Sequence, residues 1–374
     1  MKHRFKSFKV IVVAAIYFSC VSILAGCGFK DIDKRVFVTG IGVDPSEKED
    51  GGYKVTLKLS LPVSSIKSST GPNYEYLVFE SETLAEAIRI LETHTDKVLE
   101  FGHTKIIVIN ENLLQDNIKD FMDYFVRRSD IQLIAWVAAA KPSAESILRV
   151  EPAAESAVSS TLINFFGNSG TDSPFITSTF LYEFRRNMLS DGINAVLPLV
   201  EASEDKKELI VNKSLVVKEE TKPFELNAEE SKYYNTIVNG MSGFSYKAES
   251  DDLTLIINME RTKIHYKILM VDEKPTSIEM NVKMVGVIGQ SNKNLSLKDL
   301  KEYDQIASKA VKIKILDFLT TLQKENLDPI GFGLRYRSMV LYDKNTISVW
   351  QKAYPDLPID VNVEVALKGT GAIE

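Results

Sequence analysis

Apolar and polar residues change rhythm several times along the chain, and each change predicts an element. Val10 to Leu24 is apolar except for Ser19, Cys20 and Ser22. That run is short for a membrane helix, which needs about 20 apolar residues. Val36 to Val43 reads as a strand, Asp50-Gly51-Gly52 as a turn, and Tyr53 to Leu61 alternates as a half-buried strand, so the three form a hairpin. Ile66 to Tyr74, with its Ser, Gly and Pro, is a loop. Thr83-x-x-Glu86 is a capping box opening a helix with Leu84, Ala87, Ile88 and Leu91 on one face. Lys105 to Asn110 predicts a strand. Leu113, Leu114, Ile118, Phe121, Met122 and Phe125 stripe a helix, Ile131 to Ala139 is a buried strand, and Ser143 caps a short helix ending near Arg149.

The pattern fades from Ala153 to Val200, where loops and short helices are expected, and the charged run Glu201 to Lys207 marks a border. Beyond it Leu209 to Lys218 is a strand, Asn227 caps a helix toward Val238, and Leu253 to Met259 with Thr262 to Met270 predict a second hairpin. Ser277 to Ile288 alternates. Ser296-x-x-Asp299 starts a long helix striped by Leu297, Leu300, Ile306, Ala310, Ile313 and Leu316, which ends near Asn326 ahead of Asp328-Pro329. Gly331-Phe332-Gly333 follows as a turn, then a helical stretch around Ser348 and a last strand from Ile359 to Leu367. The expectation is a mixed α/β (α+β) chain. It has a leader over 1–26, a tether over 27–34, an N-terminal α/β domain over 35–200, a β-rich middle domain over 201–270 and a C-terminal α/β domain with the long helix over 271–374.

The first residues decide the compartment. Lys2, His3, Arg4, Lys6 and Lys9 form a basic stretch ahead of the apolar run, and Leu24-Ala25-Gly26-Cys27 closes it. Small residues before a cut mark a secretory signal. Leu-Ala-Gly-Cys resembles the lipobox of bacterial lipoproteins, which implies cleavage between Gly26 and Cys27, with diacylglycerol on the Cys27 sulfur and an N-acyl group as a possible addition. Each buried CH₂ contributes about 0.8 kcal/mol, and two acyl chains anchor stably where one does not. The only other cysteine, Cys20, leaves with the leader, so no disulfide is available to the mature chain.

Composition narrows the classes that remain. Hydrophobic residues at 44% and charged residues at 26% fit a globular protein. No later apolar run is long enough for a transmembrane span in the mature chain. The formal net charge is −6, and the leader takes four basic residues and no acid with it, so the mature chain carries −10. That balance argues against nucleic acid, whose binding draws on Lys and Arg. It also leaves membrane attachment to the lipid.

Candidate chemistry is sparse. His94, His103 and His265 lie far apart, with no metal-ligand spacing, and each is expected as a hydrogen-bonded structural residue. Gly40-x-Gly42 follows a strand, but Pro45 stands where a dinucleotide motif needs its third glycine, so both glycines read as kinks or close backbone contacts. Glu219-Glu220, Glu229-Glu230 and Asp251-Asp252 sit in turn-like contexts and read as solvated surface. No residue is nominated as catalytic and none as a metal ligand. The most distinctive local feature is the turn motif Asp328, Gly331, Phe332 and Gly333: Asp328 braces the chain, the glycines free the backbone, and Phe332 is expected to fill the core.

The order of several short motifs also resembles the GerAC-like family, the C-subunit lipoproteins of spore germinant receptors. Cys27 is followed by a charged tether and Gly40-Ile41-Gly42-Val43-Asp44. Leu84 to Leu91 is similar to the family's T-L-x-E-A helix, Phe101-Gly102-His103-Thr104-Lys105 to its F-x-H-x-K strand entry, and Asp328 to Gly333 to its D-x-x-G-F-G turn. Gly28-Phe29 stands where many members have Trp-Asp. The resemblance implies three α/β domains lipid-anchored on the outer face of the inner spore membrane. It implies a polytopic A subunit and a transporter-like B subunit as partners, a role in nutrient-triggered germination, no cofactor and no enzymatic activity. Two other classes stay open on the residues alone: a lipoprotein solute-binding protein, and a cortex-acting hydrolase.

Overall fold

The strands gather into two sheets of different character. The computed structural model describes Tyr17, Ser19 and residues 34–48, 51–60, 74–116, 118–150, 161–167, 173–205, 207–241, 243–341 and 343–369. The lipobox, Gly26 and Cys27 lie outside the described residues, as do the tether before Lys34 and most of the loop expected over 66–74.

The first sheet begins with β1 (Arg35–Pro45), which turns through Gly51 and Gly52, both at positive φ, into antiparallel β2 (Tyr53–Ser60). β3 (Tyr74–Ser81) extends that edge. Helix α1 (Leu84–Leu91) starts at Thr83, whose hydroxyl accepts the Glu86 amide, and buries Leu84, Ala87, Ile88 and Leu91. β4 (Val98–Glu100) and β5 (Ile106–Asn110) both lie parallel to β1. After helix α2 (Ile118–Arg127), β6 (Trp136–Lys141) lies parallel to β5. Short helices α3 (Ala144–Leu148) and α4 (Thr161–Asn164) and helix α5 (Leu181–Leu189) then lead to β7 (Ala195–Ala202), parallel to β6. Antiparallel β8 (Leu209–Val217) and β9 (Phe224–Leu226) close the sheet in the order β3-β2-β1-β5-β6-β7-β8-β9, with β4 also on β1.

Its centre is covered on both faces. On β5, Ile107 and Ile109 join a core with Ile88 of α1, Phe121 and Phe125 of α2 and Phe184 of α5. Their neighbours Ile106 and Val108 point the other way, into a core with Leu148 of α3 and Leu162 and Phe166 around α4. The strand therefore carries no polar face. Gly40 and Gly42 are the close contacts expected of them: a Cβ on Gly42 would lie 2.9 Å from Leu148 Cδ1 and one on Gly40 3.1 Å from Leu148 Cδ2. Asp44, buried at the end of β1, accepts the Ala144 and Glu145 amides at 2.7 and 2.9 Å and the Asn110 side chain at 2.9 Å, which fixes the start of α3.

The second sheet follows helix α6 (Ala228–Asn239). That helix opens with a reciprocal Asn227–Glu230 capping box and ends at left-handed Gly240. β10 (Phe244–Ser250), β11 (Leu253–Val271) and β12 (Lys274–Ser291) form an antiparallel meander, and β13 (Ile359–Leu367) returns parallel to β12. Between β12 and β13 come α7 (Leu300–Lys324), α8 (Phe332–Arg337) and α9 (Thr346–Ala353). α7 buries Tyr303, Ala307, Val311, Ile315, Phe318, Leu319 and Leu322 against one face of this sheet. The other face carries exposed Lys263, His265, Lys267, Asn281, Lys283 and Glu364.

Several expectations need correcting. A border at 200/201 falls inside β7, because the charged run after it is the turn of a hairpin to β8 within one sheet. A border at 270/271 falls at the end of β11 and divides a hairpin. The proposed hairpin from Leu253 to Met270 is a single strand: no turn residue stands between Met259 and Thr262, and the register only shifts at Met259/Arg261. The strand expected from Ile131 begins at Trp136, and Ala195 to Val200 lies in β7, within the stretch read as loops and short helices. On α7 Leu300, Ile306, Ala310 and Leu316 flank the buried stripe and Ile313 is exposed; Leu297, also exposed, lies ahead of the helix.

One core joins the sheets. Val196, Val216 and Leu226 of the first sheet pack with Tyr233 and Ile237 of α6 and with the second sheet. α6 is buried from Ser231 to Ile237. Its polar side chains there have partners: the Ser231 hydroxyl donates to Ser214 Oγ at 3.1 Å, and Asn235 Nδ2 donates to the Pro174 carbonyl at 2.8 Å.

Candidate functional site

The turn after α7 is the most organised polar feature, and the joint between the sheets is built on it. α7 ends in a Schellman motif: Asn326 takes φ +52°, its amide donates to the Gln323 carbonyl at 2.9 Å, and the Leu327 amide donates to Leu322 at 2.8 Å. Pro329 then blocks further helix. The Asp328 carboxylate accepts the amides of Gly331, Phe332 and Gly333 at 2.9, 3.0 and 2.7 Å, so it caps α8. Burial pushes the Asp328 carboxyl up to about 6, although these donors pull it down.

The two glycines serve different ends. Gly331 has φ +82°, a left-handed conformation that other residues rarely adopt. Gly333 is not a residue of positive φ. It is needed for space, since a Cβ there would lie 2.5 Å from Trp350 Nε1 and 2.8 Å from Gly192 Cα. Phe332 is fully buried, 4.8 Å from the Tyr266 ring in an edge contact and 6.5 Å from Tyr354. Trp350 stacks between Tyr336 and Tyr354, and the Tyr354 hydroxyl donates to the Leu327 carbonyl at 2.8 Å.

This turn clamps the segment leading into β7. The Leu334 amide donates to the Gly192 carbonyl at 2.7 Å, the Asn194 amide to the Asp328 carbonyl at 2.9 Å, and the Asp328 amide to Asn194 Oδ1 at 2.7 Å. A polar cleft of about 240 Å³ lies beside the clamp, lined by Asn194, Lys218, Asn326, Asp328 and Gln351 among others. Lys218 crosses it to donate to the Asn326 carbonyl at 3.3 Å, and Lys119 pairs with Glu219 at its rim. Asp328 spends its oxygens on the chain's own amides. The arrangement suits a rigid joint rather than acid–base chemistry.

The histidines do not converge. All three are exposed rather than hydrogen-bonded core residues: His103 leans on Phe37 at 4.5 Å and His94 on Phe79 at 5.9 Å, while His265 lies on the open face of β11. Among the described residues no group of three or more His, Cys, Asp or Glu could hold a metal ion. The clamp's other half, Gly192 and Asn194, escaped the sequence reading. The Ser190-Asp191-Gly192 turn was its one visible signal, inside a stretch without periodicity.

Comparison with known proteins gives this fold a family. A model for the spore germination protein N-terminal domain matches residues 28–202, and one described as spore germination B3/GerAC like, C-terminal, matches residues 214–371. The chain belongs to the GerAC-like spore germination family. It is 23% identical to spore germination protein KC of Bacillus subtilis (strain 168) across 96% of both chains. The crystal structure of the GerBC protein superposes with a TM-score of 0.57, at 15% identity, covering 88% of this chain and 97% of that one. The likeness to GerBC is one of fold. A GerAC-like chain is a spore germinant receptor C subunit, a receptor protein and not an enzyme. Among the described residues no helix is long and apolar enough to cross a membrane.

Proposed function

We propose that this GerAC-like subunit works as a lipid-anchored part of a nutrient germinant receptor. Diacylglycerol on Cys27 holds it on the outer face of the inner spore membrane, and it acts there with a membrane-embedded A subunit and a transporter-like B subunit to trigger germination. The observation that carries this reading is that the two family matches tile nearly the whole chain directly behind Leu24-Ala25-Gly26-Cys27. The fold supports a binding role over chemistry, since its best-built polar site is spent on internal hydrogen bonds. A two-lobed solute-binding protein would need a doubly wound sheet in each half. Here the second sheet is an antiparallel meander with one parallel strand.

The test is Cys27→Ala in spores, followed by capture of the tagged chain from detergent-solubilised inner membrane. The wild-type chain should carry lipid on residue 27 and bring down two polytopic proteins. The variant should accumulate as precursor or leave the membrane fraction, with germination lost in parallel. A mature, membrane-bound chain without lipid on residue 27 would refute the anchor, and lipidated protein captured alone would refute the receptor complex.

A further inference from the structure

β11 outruns the strand beside it. β10 pairs with it from Leu253 to Met259, whereas β12 accompanies it to Val271. From Arg261 to Val271 one edge of β11 has no described strand next to it. At about 3.3 Å per residue the open edge is about 35 Å long. Along it, alternate amides and carbonyls point outward and require water or another strand. The edge is neither short nor interrupted by proline, two common ways in which proteins close such edges.

The side chains of this stretch separate by face. On the open face stand Arg261, Lys263, His265 and Lys267, all exposed. Among the described residues Arg261, Lys263 and Lys267 have no ion pair, while nearby acids are engaged, Glu260 with Lys368 and Glu364 with Lys283. Glu279, across from Lys267, is the one acid on the adjoining strand of that face. A basic strip on a chain of net charge −6 is a local departure. On the packed side, Ile264 and Tyr266 are half-buried at the margin of the core, and the Thr262 hydroxyl is buried without a partner. Beside Tyr266 opens a hollow of about 580 Å³, walled by Ile193, Ile330 and Leu334 with Arg335 at its edge.

We propose that the free edge of β11 from Arg261 to Val271 docks an extended acidic segment of another protein, which adds to the sheet as a further strand. Its acidic side chains lie beside Lys263, His265 and Lys267. Its alternate apolar side chains cover Ile264 and Tyr266 and reach the hollow. Main-chain hydrogen bonds supply affinity in this mode and the alternate side chains supply selectivity. A second copy of this chain is a poor occupant, because pairing β11 with itself sets basic residues against basic residues. A membrane surface fits less well, because the turn at the end of the hairpin carries Asp272 and Glu273. The proposal is independent of the A and B subunits, and its test contains neither.

The test uses the purified full-length chain in detergent and a synthetic peptide of alternating Glu and Val, about as long as the open edge. Amide hydrogen exchange is followed along β11. The peptide should bind and slow exchange within 261–271, leaving β12 unchanged. Lys263→Glu with Lys267→Glu should weaken binding about tenfold or more. Both positions are solvent-facing, so the melting temperature should hold. A Lys–Val peptide of the same length should not bind. Unchanged exchange on peptide addition, or equal affinity of the charge-reversed chain, would overturn the proposal. Protection that grows with protein concentration alone would replace the partner by a second copy, and protection by phosphatidylglycerol vesicles alone would replace it by a membrane.

Discussion

The two sheets solve burial in opposite ways. In the first, β5 reads Ile-Ile-Val-Ile-Asn with every residue buried, because helices cover both faces. In the second, β12 alternates from Ile278 to Ile288, with the core on one side and solvent on the other. Parallel strands need crossovers that lay helices on a sheet, whereas an antiparallel meander can leave one face wet. The difference teaches where a polar substitution can be absorbed. It should be costly at Ile106 to Ile109 of β5 and tolerated at the exposed positions of β12.

Five measurements on the purified full-length chain break or sharpen this contrast. Val108→Lys places a charge in a face that has no route to water and should cost more than about 5 kcal/mol, leaving no cooperative unfolding transition. Phe332→Ala should leave a cavity at the joint and cost about 3–5 kcal/mol, read as a lower denaturant midpoint with unchanged slope. A drop in receptor capture with unchanged stability would instead make Phe332 a partner contact. Asp328 sets the pH response. Its carboxyl is raised in the folded chain from 3.8 to about 6, so the stability linked to its protonation is fully present below pH 4 and lost as pH rises through 6. Relative to Asp328→Asn, the wild-type chain should gain about 2 kcal/mol between pH 7 and pH 4. A constant difference across that range would place the proton elsewhere.

Gly42→Ala pushes a methyl to 2.9 Å from Leu148 and should cost about 1–3 kcal/mol, with partial recovery when Leu148→Val is added. Smallest of all, Asn281→Thr on the open face of β12 should change stability by no more than about 0.5 kcal/mol. A large loss there would mean that the face is covered in the protein as purified.

The same contrast explains what the sequence disclosed. The alternating strands were legible: Ile359 to Leu367 is β13 to the residue, and Ser277 to Ile288 lies within β12. β5 was found by its apolar run, but nothing in that run says that its two faces meet different helices. Ala195 to Val200 is as apolar as β5 and went unread, because Pro198 and the polar stretch before it resemble loop. On α7 two apolar stripes compete. Ile306, Ala310, Ile313 and Leu316 keep to one side of the helix as Ala307, Val311 and Ile315 keep to another, and only the position of the sheet decides between them. The turn from Asp328 to Gly333 stood out in sequence as a turn. Its role as one jaw of a clamp did not, since Gly192 and Asn194 are remote in the chain and reach it only through the fold.

The shared core bears on how such genes can recombine. The border between the two family matches, after residue 202 and before residue 214, lies in the β7–β8 hairpin. A crossover there would give a chimera whose β8 must pair with a foreign β7, and whose Val216 and Leu226 must fill a core shared with a foreign Val196. The seam that sequence comparison draws is therefore a poor place to cut. Joining two parents after Leu226, at the start of α6, would keep the first sheet from one source. It would leave the shared core and the clamp between Asn194 and Asp328 as the contacts that must be co-selected.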